Sequence, residues 1–141
     1  MSYRILVVNP GSTSTKIGVY EDENLLFDKT LRHSAEELEK FDSIPAQKDW
    51  RRKLVMKALE DQGFDVKTLS AVSGRGGLLA PIRGGTYAVS DRLVRDCTVG
   101  VQGQHASNLG GIIAREIGDQ LGIPVDFTVS VDLKGFVALV D

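Results

Sequence analysis

Cysteine, histidine and charge of one sign are the scarce materials of this 141-residue chain, and each shortage removes a class of function. The single cysteine, Cys97, cannot close an intramolecular disulfide. That fits a reducing compartment and predicts a buried, inert thiol. Only two histidines, His33 and His105, accompany it at scattered positions, so the spacing of a protein-held zinc site is absent. The 17 Lys and Arg against 19 Asp and Glu leave a net charge of −2, without the basic footprint of a nucleic-acid partner. No run approaches the roughly 18 apolar residues that a membrane helix needs. The apolar run Ile5-Leu6-Val7-Val8, set between Arg4 and Asn9, is too short for a signal peptide. A cytoplasmic protein without membrane contact is therefore expected. With 42% hydrophobic and 26% charged residues and no internal repeat, the chain reads as one globular domain over 1–141.

Against these absences stands one dense segment, Asn9-Pro10-Gly11-Ser12-Thr13-Ser14-Thr15-Lys16. It lies between the strand-like runs 3–8 and 16–20, so a buried strand ends, turns tightly and returns. Four hydroxyl side chains, the backbone amides freed by Gly11 and the Lys16 ammonium come together within eight residues. Small residues let amides approach an anion and lysine adds charge, which suits a phosphate. A Walker A loop would need Gly-Lys-Ser/Thr followed by a helix, whereas here Lys16 opens a strand. The alternative is an ordinary Pro-Gly and Ser/Thr turn that binds nothing.

Residues 24–31 read as a third strand after a turn at 21–24, giving an antiparallel meander. Ser34 with Glu37 three residues on forms a capping box, with Leu38 and Phe41 on the apolar side of a short helix. A helix over 47–62 follows, stopped by Gly63 and carrying Trp50, Leu54, Val55, Ala58 and Leu59 as its core stripe. Residues 69–72 and 86–89 look like strands, 106–121 like an amphipathic helix stopped at Gly122, and 125–141 like further strand. The order β-β-β-α-β-α-β resembles the ribonuclease-H-like half-domain of actin-like ATPases. The expected class is α/β, a mixed sheet with an antiparallel N-terminal meander flanked by helices.

Two further positions carry candidate chemistry. Arg75 stands between Gly74 and Gly76-Gly77, where glycines leave room for a ligand and the guanidinium offers a bidentate fork to carboxylate or phosphoryl oxygens. Arg83 before Gly84-Gly85 is a weaker case, and a solvated loop arginine is the bland alternative for both. His105 precedes the helix at 106, where free amides favour anions and a neutral imidazole. Ser107 or Asn108 could equally be a simple cap there. His33 fits a structural role beside the Ser34 cap.

Taken in order, these blocks resemble the butyrate kinase family, relatives of the acetate and propionate kinases. The matching stretches are the loop 9–16, Leu31-Arg32-His33-Ser34, Gly74-Arg75-Gly76-Gly77-Leu78-Leu79, and Pro81 with Gly84-Gly85-Thr86-Tyr87. His105-Ala106-Ser107-Asn108-Leu109-Gly110 and Gly122-Ile123-Pro124 complete the series. The resemblance implies reversible phosphoryl transfer between ATP and a short-chain fatty acid, with Mg2+. It puts Asn9, Ser12, Ser14 and Lys16, with the Gly11 turn, beside the transferred phosphoryl group. Arg75 would engage the acyl carboxylate or phosphoryl oxygens, although acetate kinases carry their arginine three positions earlier, where this chain has Val72. His105 would stabilise the transition state, and Asp126 is the counterpart of an acid tied to metal or catalysis. No metal is expected to be held by the protein alone. Family members are more than twice this length and hold adenosine largely in their second half, so this chain reads as an N-terminal acetokinase-type domain. The family usually pairs through its C-terminal domain, which leaves a homo-oligomer open without fixing the oligomeric state. A non-catalytic actin-like module acting in assembly or regulation stays open as a second reading.

Overall fold

The computed structural model describes residues 2–75, 85–99 and 105–129. Gly76, Gly77, Arg83, Gly84 and the expected strand beyond 129 lie outside the described residues. Strands β1 (Arg4–Pro10), β2 (Ser14–Glu21) and β3 (Asn24–Arg32) form the expected antiparallel meander. Asp22 takes the left-handed conformation, φ 56°, in the tight turn before β3, a conformation that a short polar side chain tolerates. Then come α1 (Ala35–Leu38), α2 (Lys48–Asp61), β4 (Ala71–Arg75), β5 (Gly85–Ala88), α3 (Asp91–Val99), α4 (Leu109–Leu121) and β6 (Val125–Val129). One six-stranded mixed sheet results, ordered β3-β2-β1-β4-β6-β5, with β1, β4 and β6 parallel.

Helix boundaries follow local chemistry. The Ser34 hydroxyl accepts from the Glu37 amide at 3.2 Å and the Glu37 carboxylate accepts from the Ser34 amide at 3.1 Å, completing the capping box. Gly63 and Gly122 stop α2 and α4 at φ of 70° and 68°, which costs a residue without Cβ little. Two expectations need correction. Helix α4 begins at Leu109, because residues 106–108 form a 3-10 turn, and Asn108 does not cap it with its side chain. Helix α3 was not foreseen; the Ser90 hydroxyl caps it by accepting from the Leu93 amide at 3.1 Å.

Strand alternation divides the sheet into two unlike faces. Leu6, Val8, Ile17, Val19 and Val72 turn toward the helices and are buried with Val55, Leu59, Leu109, Ile112, Ile113 and Ile117 in one core. Each such aliphatic side chain contributes about 1.5–3 kcal/mol through burial. The buried face of α2 is Arg51, Val55, Ala58 and Leu59, with Trp50 and Leu54 only half buried, so the stripe is turned from the expected one and includes an arginine. Cys97 is buried as expected. The opposite sheet face carries Asn9, Lys16, Ser73 and Arg75, and it is less covered.

Candidate functional site

Register alone assembles a cleft on that less covered face. Asn9 of β1 lies opposite Lys16 of β2, and Gly18 lies opposite Asp28 of β3. Since Val8 is level with Gly74 in the parallel pair, Arg75 closes β4 beside Asn9. The cleft, about 120 Å³, is lined by Val7, Asn9, Lys16, Gly18, Asp28 and Arg75 among others. Two cations, one carboxylate and a carboxamide thus share one small polar hollow, at the carboxyl ends of the parallel strands where α/β sheets commonly take ligands. Asp126 lies level with Ser73 on β6, one strand farther on, so strand pairing puts it on the same face. A larger hollow, about 790 Å³, is lined by Arg52, Met56, Lys57, Phe64 and Gln120. It includes none of the candidate site residues.

The loop between β1 and β2 is closed by the Gly11 amide donating to the Ser14 carbonyl at 2.7 Å. Ser12 and Thr13 are exposed at its tip and Ser14 is half buried. Thr15 departs from the expected convergence of four hydroxyls, because alternation turns it to the helix side, where it is fully buried. There its Oγ1 lies 2.8 Å from His33 Nε2 and accepts from Arg51 Nη1 at 3.2 Å. The direction of the Thr15–His33 hydrogen bond follows the His33 tautomer, since a hydroxyl that accepts from Arg51 can still either donate or accept a second bond. Burial, and secondly the Arg51 charge, hold the His33 pKa below its ordinary value. His33 therefore has the structural role expected of it, with Thr15 rather than the Ser34 cap as its partner. Trp50 packs on the His33 ring at 4.6 Å and Phe41 on Trp50 at 5.2 Å.

Asn9, Lys16 and Arg75 are thus brought together, with Gly11, Ser12 and Ser14 on the adjoining turn. His105 is exposed immediately ahead of the 3-10 turn that leads into α4, and it is not among the described residues lining this cleft. Gly74 also serves another purpose than the one expected. A Cβ there would collide with the backbone of Gly110, and a Cβ on Gly110 would collide with that of Arg75. The pair lets α4 cross β4 in close contact. Among the described residues no group of three His, Cys, Asp or Glu comes together to hold a metal ion. No described helix is long and apolar enough to cross a membrane. Sequence reasoning missed Asp28, whose signal is only the register of β3, and Arg51, which looked like one more charge on a helix.

No family model matches the chain. Curated proteins do. A Clostridium botulinum protein described as "Probable butyrate kinase" is 57% identical over 124 residues, which are 88% of this chain and 35% of that protein. Butyrate kinase 1 of Clostridium acetobutylicum is 57% identical over 122 residues, 86% of this chain and 34% of the relative. The chain spans about a third of the length of these relatives. Among solved structures, an acetate kinase of Porphyromonas gingivalis superposes with a TM-score of 0.56 at 16% identity, over 90% of this chain and 37% of that one. An acetate kinase of Entamoeba histolytica gives a TM-score of 0.56 at 13% identity, over 89% and 36%. At such identities the structural likeness shows the fold alone, the mixed α/β actin-like ATPase type expected from the sequence.

Proposed function

For a chain homologous to the N-terminal part of butyrate kinases, we propose that it supplies the acid and phosphoryl side of a carboxylate kinase active site. The reaction is phosphoryl transfer from ATP to a short-chain fatty acid, giving an acyl phosphate and ADP, and it is reversible. The observation that carries this reading is the meeting of Asn9, Lys16 and Arg75 in one cleft beside the hydroxyl-rich turn. Such transfer asks for positioning and charge neutralisation more than covalent chemistry by the protein. Lys16 and the amide of Asn9 hold equatorial oxygens of the phosphoryl group, with Gly11, Ser12 and Ser14 lining the turn. The Arg75 fork binds the carboxylate and aims one oxygen at phosphorus. His105, outside the cleft lining in this chain, would have to be brought to the same group to donate a hydrogen bond as charge builds there.

Among the described residues no donor set forms a metal cage; in this reading Mg2+ arrives with the nucleotide and meets Asp126. When bound, such an ion neutralises phosphate charge. Adenosine is held by the further length that the relatives possess.

In a full-length kinase carrying this segment, Lys16→Ala and Arg75→Ala should each lower kcat/KM for butyryl phosphate formation by about 10²-fold or more. Both variants retaining near-normal kinetics would remove these roles.

A further inference from the structure

Arg51 is the one fully buried arginine among the described residues, and it has no carboxylate partner there. Its Nε donates to Gln47 Oε1 at 3.0 Å, and Nη1 donates to the Gly11 carbonyl at 2.8 Å, the Ser14 carbonyl at 3.1 Å and Thr15 Oγ1 at 3.2 Å. Nη2 is buried with no hydrogen-bond partner among the described residues. Every acceptor is neutral, whereas a buried charge is ordinarily paired. Burial pushes the guanidinium pKa down to about 10, still far above neutrality. A full positive charge therefore sits under the loop with nothing in the described residues to balance it.

The peptide geometry says where the balance belongs. No described peptide bond is cis, and in a trans peptide the carbonyl and the following N–H point in opposite directions. Holding the Gly11 carbonyl toward Arg51 sends the Ser12 N–H away from the core, toward solvent. Neither the Ser12 nor the Thr13 amide donates a hydrogen bond within the described residues, and both residues are exposed at the tip. We propose that Arg51 is a positioning residue of an anion loop: it pins the Gly11 and Ser14 carbonyls inward, turns the Ser12 amide outward beside the exposed Thr13 amide, and leaves its charge to be balanced by a phosphoryl group bound there. The proposal rests on the phosphate reading of residues 9–16.

The test is a titration of the 141-residue chain with inorganic phosphate, followed by amide NMR and thermal unfolding. Phosphate should shift the Ser12 and Thr13 amide resonances and raise Tm. Arg51→Met should weaken phosphate binding about tenfold, and Arg51→Lys, which keeps the charge, should restore most of it. Gln47→Glu puts a carboxylate beside Arg51 Nε, so it should weaken phosphate binding several-fold without lowering Tm. A role confined to holding the fold would change Tm in the arginine variants and leave phosphate affinity alone. If Arg51→Met does not fold, Gln47→Glu decides: unchanged phosphate affinity in that variant overturns the proposal. Wild-type binding with all variants equal to it would overturn the role of Arg51 and spare the phosphate loop. No phosphate response in the wild type would overturn both.

Discussion

The Thr15 hydroxyl, shared between His33 and Arg51, makes the loop's anchorage depend on pH. His33 has a folded pKa below 6.5, through burial and then Arg51, with Glu37 acting weakly in the other direction. The unfolded chain thus takes up the proton first. The stability gained from the neutral imidazole is complete above about pH 6.5 and is lost as the pH falls through that value toward the folded pKa. Urea midpoints measured at about pH 7.5 and about pH 5.5 should drop in the acid sample. His33→Gln should flatten that drop, and an unchanged slope would mean that another group titrates. The chemistry of this residue was only partly legible. A structural His33 could be expected from its place beside Ser34, but its partner comes from a strand 18 residues earlier. Arg51 was hidden for a similar reason, since a charged residue on a helix ordinarily faces water and only the loop carbonyls above it make burial affordable.

Helix α4 is the element on which the site rests, because it crosses β4 where Arg75 leaves the sheet. Its small face, Gly110 and Gly118, is pressed on β4 and β6, and an added Cβ at Gly118 would strike the Val125 side chain. Gly74→Ala and Gly110→Ala should each cost about 1–3 kcal/mol in urea unfolding. Gly11→Ala should cost much less, its Cβ meeting Ser14 at an ordinary 3.6 Å. Equal losses in all three would contradict the close-crossing account. At this scale the sequence was a good guide wherever a local signal exists. The meander, the capping box and the glycine stops needed only neighbouring residues. Helix α3 had a signal too, Ser90 followed by Leu93, Val94 and Cys97 at helical spacing, and reading the region without it left the helix out.

For the molecule as a whole, the length of its relatives sets the expectation. The purified 141-residue chain, assayed with ATP and butyrate, should form little or no butyryl phosphate, since it spans only about a third of the length of its relatives. Robust turnover would show that the chain suffices alone. A stable complex with another protein, together with no response to ATP or phosphate in calorimetry, would favour a non-catalytic module. By itself the sequence determined the class of fold, the meander and the residue inventory of the turn 9–16, because these depend on strand periodicity, turn residues and composition within short windows. Only the tertiary structure decided which side chains meet. The parallel register of β1 and β4 carries Arg75 to Asn9 across some 65 residues of chain. The alternation of β2 sends Thr15 inward and Lys16 outward, and helix α2 brings Arg51 beneath Gly11. Such pairings are set by packing between distant segments, which no local pattern records.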